Sequence, residues 1–136
     1  MKLKLNRDAL NELRKIGIQG IGIIEFDERL GPVPKYVYSK HSRLIRRILR
    51  DQIFSSKVSI LAKYACEAKL AGDLRIIIES FDSVGDRIKT NYIIAQISED
   101  ADHLKVRALL KTLKKRLNGC REIEKNLIET CLLETL

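Results

Sequence analysis

The sequence predicts an α/β fold of the α+β type, an antiparallel-rich sheet of four to five strands flanked by helices. Three observations lead there. Two pairs of apolar, β-branched runs each enclose a short turn, at 18–39 and at 74–97. Helical periodicity precedes, separates and follows these pairs. No strand alternates with single helices in the manner of β-α-β crossovers, so the order reads α-β-β-α-β-β-α-α.

The elements follow in chain order. From Asn6 to Ile16, Ala9, Leu10, Leu13 and Ile16 recur at helical spacing, with Asn6 as a cap and Gly17 as a stop. Ile18 to Phe26 is a strand whose two faces both carry apolar residues: Ile18, Gly20, Gly22, Ile24 and Phe26 on one, Ile21 and Ile23 with Glu25 on the other. A strand apolar on both sides belongs inside a covered sheet. Asp27 to Pro32 is a turn, and Val33 to Ser39 returns as a second strand. Pro32 and Pro34 donate no ladder hydrogen bonds, so that strand begins at an edge or is paired on one side only there.

Helix resumes near Ser42, where Leu44, Ile45, Ile48, Leu49 and Ile53 form one stripe. The pattern continues through Ile60, Leu61, Tyr64, Ala65 and Ala68 to Gly72. Ser55-Ser56 can divide it into two helices, or residues 57–64 can form an extra strand. Leu74–Phe81 and Ile88–Ile97 then flank the hairpin loop Asp82–Asp86. The acid-rich stretch Ser98–Asp102 opens a helix, since carboxylates suit a helix N-terminus. Leu104, Leu109, Leu110, Leu113 and Leu117 supply its apolar face, and Asn118-Gly119 ends it. A last helix starts near Arg121, with Ile123, Leu127, Ile128, Cys131 and Leu132 as its stripe.

Bulk properties narrow the function classes. At 136 residues and 45% hydrophobic content, one domain has room for a core without disulfides or metal. No apolar run reaches the ~18 residues that span a bilayer, and Met1 to Asp8 lacks the features of a secretory signal. No lipidation motif is present either, so the cytoplasm is the expected compartment. Cys66, Cys120 and Cys131 are widely spaced and read as reduced thiols used as small apolar residues. With His41 and His103 they do not make the close pairs a structural zinc needs.

Gly17-Ile18-Gln19-Gly20-Ile21-Gly22 has the wrong order for a dinucleotide fingerprint and precedes a strand instead of following one. Glu25, Asp27 and Glu28 read as solvated turn carboxylates, Cys66 as core, and Asp100, Asp102 and His103 as first-turn capping residues. No catalytic residue, cofactor or metal is therefore expected, and the chain is read as no enzyme.

The net charge of +8 is concentrated. Lys35, Lys40, Arg43, Arg46, Arg47 and Arg50 run without an acid, and so do Lys105, Arg107, Lys111, Lys114, Lys115 and Arg116. Arg43, Arg46, Arg47 and Arg50 fall at spacings of three and four and share much of one helix face. The bland reading of both runs is a solvated surface. The functional one is a docking face for an acidic protein or an anionic membrane. The partner-binding candidates are thus Arg43, Arg46, Arg47, Arg50, Lys111, Lys114 and Lys115. Nucleic acid is the alternative partner, since phosphates need only such cations, but with three Phe, four Tyr and no Trp the chain is poor in stacking residues.

The segment Gly22-Ile23-Ile24-Glu25-Phe26-Asp27-Glu28-Arg29-Leu30-Gly31-Pro32-Val33-Pro34-Lys35-Tyr36-Val37-Tyr38-Ser39 resembles the opening hairpin of the longin/roadblock superfamily. Tyr92 to Asp100, followed by a Leu-rich helix, is similar to its last strand and next helix, and the leading helix at 6–16 leans toward the roadblock arrangement. The resemblance covers roughly residues 6–117 and rests on pattern. It implies one domain over 1–136, with a helical extension from about residue 119. It further implies a non-enzymatic interaction scaffold. Such domains pair through an edge strand and a helix, as a homodimer or as a heterodimer with a related domain. They then bind small GTPases or trafficking and motility machinery. The family has five strands; four are readable here.

Overall fold

The computed structural model describes residues 11–27, 29, 31–39, 67–70 and 74–135. Its centre is a five-stranded antiparallel sheet in the order β2-β1-β5-β4-β3: β1 Ile18–Asp27, β2 Gly31–Ser39, β3 Glu67–Leu70, β4 Leu74–Val84 and β5 Ile88–Ile97. Two helices follow, α1 His103–Leu117 and α2 Lys125–Thr135. Residues 11–15 are helical and lead into β1.

The α+β class and the antiparallel sheet are as the residue pattern predicts. β5 occupies the bounds expected for it, β1 is an interior strand, and proline-bearing β2 is an edge. The sheet accommodates β2 through a bulge: Ile23 pairs with Tyr36 but Ile24 pairs with Pro34, so Lys35 is the extra residue.

One expectation is overturned. The helical pattern carried through Ala68 to Gly72, yet Glu67–Leu70 is strand β3, paired with Leu74–Ile77. Glu, Ala, Lys and Leu are all good helix formers. The ladder offered by β4 outweighs that weak preference, because strand formation depends on context more than on composition. The remaining residues of that predicted helix, 42–66, with Arg43, Arg46, Arg47, Arg50, His41 and Cys66, lie outside the described residues.

The principal core lies on the face where β1, β4 and β5 present Ile21, Ile23, Ile77, Phe81, Ile93 and Ala95. Onto it α1 lays Val106, Leu109, Leu110, Leu113 and Leu117, all at 5% exposure or less. Leu104, expected on that stripe, is 80% exposed. It sits two residues before Val106, roughly 200° around the helix at ~100° per residue, and so faces away. α2 packs against α1 and β2, burying Ile128, Cys131 and Leu132, and Arg116 pairs with Glu134 across the two helices. On the opposite face of the sheet Ile24, Ile76, Ile78, Tyr92 and Ile94 are buried as well.

Two joints fix the helices to the sheet. Gly17 adopts φ +94°, and its carbonyl accepts from the Ser98 amide at 2.9 Å, while the Asp102 amide donates to Ile16 at 3.1 Å. At the other end of α1, the Gly119 amide donates to Asp82 and the Val84 amide to Cys120, both at 2.7 Å. The Asn118 side chain also accepts from the Asp82 amide at 3.1 Å. The turn after α1 is thereby laid along the far end of β4.

Candidate partner-binding site

Of the seven cations singled out by sequence, three can be placed. Lys111, Lys114 and Lys115 converge on a cleft of about 400 Å³ lined by Glu79, Lys111, Lys114, Lys115 and Asn118. The cleft lies where the carboxyl-terminal half of α1 passes β4. α1 presents the lysines because its apolar stripe at 106, 109, 110, 113 and 117 is committed to the sheet, which leaves 111 and 115 exposed and 114 half-buried. Asp102 starts the helix, its carboxylate accepting from the Lys105 amide at 3.2 Å, in keeping with its reading as a capping residue.

Pattern reading missed Glu79. It lies on the core-facing side of β4 between Ile77 and Phe81 and is only 8% exposed. Lys114 Nζ reaches its carboxylate at 3.6 Å. Parity along the strand could have found it, because an acid at an inward position needs a cation from the element packed above. Among the described residues Lys111 and Lys115 have no such partner. The last turn of α1 carries Lys114, Lys115 and Arg116, which complement the helix dipole.

A second buried carboxylate departs from expectation. Glu25 was read as a solvated turn acid, but it is 8% exposed. It accepts from Lys89 at 3.1 Å and lies 3.9 Å from Lys35. As expected from the strand pattern, Glu25 shares the face of Ile21 and Ile23, and it lies opposite Asn91; the departure is that this position is buried. Asn91 is fully buried, and its Nδ2 donates to Ser83 Oγ at 3.0 Å and to the Lys89 carbonyl at 3.1 Å. This cluster ties β1, β2, β4 and β5 together.

Of the cysteines, Cys131 is a core residue and Cys120 is half-buried, both as free thiols. Burial pushes both above the ordinary thiol value, which lowers their reactivity. Among the described residues no group of three or more His, Cys, Asp or Glu is placed to hold a metal, and no helix is long and apolar enough to cross a membrane. Comparison with family models and with curated proteins returns no match to this chain.

Proposed function

We propose that the protein is a non-enzymatic interaction scaffold of the longin/roadblock kind. In this reading it pairs with a second copy or a related domain and binds a small GTPase or a trafficking or motility complex. The observation that carries the reading is the open sheet. β2 and β3 each have a single neighbouring strand among the described residues, and an open edge is a template for pairing. The five strands agree in number with that superfamily, and Gly22–Ser39, which carries the resemblance, lies within the β1–β2 hairpin.

β3 is the edge suited to pairing. β2 is blunted by Pro32, Pro34 and its bulge. The outward direction of β3 follows from the hydrogen bonds of β4. The amides of Asp82 and Val84 point away from β5, so even-numbered β4 residues face outward. Ile76 and Leu74 therefore bond Ala68 and Leu70, and the backbone groups of Glu67 and Lys69 face away from the sheet.

Lys69→Pro tests this. It removes one outward amide and leaves the β3–β4 ladder bonds in place. Light scattering on size exclusion is expected to report a dimer for the parent chain and a monomer for the variant. Capture with immobilised small GTPases is expected to retain the parent. A parent that stays monomeric at high concentration and retains no GTPase sinks the reading.

A further inference from the structure

We propose that the cleft between α1 and β4 docks a carboxylate-rich segment of a partner protein, gripped by Lys111 and Lys115, with Glu79 as an internal competitor for Lys114. The inference rests on the reading of the chain as a scaffold and names the chemistry of what it holds. Three observations carry it.

The first is charge. Among the described residues the cleft is lined by three lysines, one glutamate and one asparagine, and the glutamate is already engaged by Lys114. Two ammonium groups remain for an incoming anion. Second, helix stability does not account for all of them. Lys114, Lys115 and Arg116 lie in the last turn, where the dipole favours cations. Lys111 lies before that turn, and at i,i+4 from Lys115 its like charge disfavours the isolated helix. An acidic partner reverses that sign.

Third, the cleft already holds the kind of group it is proposed to bind. The Glu79 carboxylate sits 3.6 Å from Lys114 Nζ, so one of the three lysines is already set at carboxylate distance. Among the described residues the lining includes no aromatic side chain, so none of them offers the stacking surface that single-stranded nucleic acid uses. A volume of about 400 Å³ falls within the ~300–1,000 Å³ range of ligand-sized sites, enough for a few acidic side chains.

The test uses the full chain and a fluorescent oligoglutamate peptide at low and physiological salt. Saturable binding is expected, weakening as salt rises. Lys111→Glu with Lys115→Glu is expected to lower affinity about tenfold or more, whereas Lys105→Glu with Arg121→Glu, an equal change in net charge outside the cleft, leaves it within about twofold. Glu79→Gln is expected to raise affinity several-fold by releasing Lys114. Equal losses in both double variants, absence of saturation, or tighter binding of an oligonucleotide through the same lysines overturns the proposal. An unchanged affinity for Glu79→Gln overturns the competitor role. Light scattering on the same samples separates the two readings. A dimer that ignores the peptide sinks the docking site alone, and a monomer that binds it sinks the pairing scaffold alone.

Discussion

At the scale of single residues, the positions under most constraint are those where backbone or polar atoms have no latitude. Gly17 combines a positive φ with close approach: a Cβ built there would lie 2.4 Å from Ala101 Cα. Gly17→Ala therefore has to move backbone as well as accept a left-handed conformation. A loss of about 1–3 kcal/mol is expected, measured as a lower denaturant midpoint with unchanged slope. Tyr36 is the opposite case. Its ring stacks on Tyr38 at 6.2 Å, but its hydroxyl is buried with no hydrogen-bond partner among the described residues. Burial first, and then the nearby Glu129 charge, raise its pKa above the ordinary tyrosine value. The neutral form is thus favoured in the folded chain. Its contribution is complete below the unfolded value near 10 and is lost as pH climbs above it. Tyr36→Phe removes the unpaired hydroxyl, so equal or greater stability at pH 7 and a shallower alkaline decline are expected, read by urea unfolding from pH 8 upward. A destabilised variant would reveal a partner for the hydroxyl.

At the scale of elements, α1 links sheet, cleft and helix pair, and its start depends on a single cap. Asp102→Ala removes the bond to the Lys105 amide, with an expected cost of about 1 kcal/mol, visible as a lower thermal midpoint with the sheet signal retained. The same helix shows what one sequence can disclose. Asp102, Leu109, Leu110, Leu113 and Leu117 were legible because cap and stripe obey local rules. β1 and β5 were legible because Ile, Val, Tyr and Phe in short runs bounded by turns have few other uses. β3 was not, since nothing in Glu-Ala-Lys-Leu favours a strand until β4 is beside it. The lysines of the cleft were legible as a charge run. Their grouping with Glu79 was not, because from Glu79 to Lys111 it joins residues 32 apart, brought together by the packing of α1 on the sheet. Glu25 was misjudged for a related reason: its place on the strand face of Ile21 and Ile23 is local, but the cations that accompany its burial, Lys89 and Lys35, come from the neighbouring strands.

At the scale of the whole molecule, charge and edges are distributed unequally. The helical face carries the lysine cleft, and among the described residues the outer strands β2 and β3 each have one strand neighbour. Pairing through β3 would set two β4 strands either side of the joint, and with them two copies of the cleft related by a twofold axis. A partner bearing two acidic segments would then bind more tightly than the sum of single contacts suggests. Loss of dimerisation in Lys69→Pro is accordingly expected to weaken a divalent acidic ligand far more than a monovalent one, measured by titrating both against parent and variant. Equal effects would mean that only one cleft is used at a time.

The seam between residues 118–120 and 82–84 has a mechanical meaning. Two short amide bonds and one asparagine contact sew the stretch after α1 to the tip of the longest strand. A pull on the carboxyl-terminal helix is therefore borne first by the β4–β5 hairpin, and the two helices travel with the sheet as one load-carrying piece.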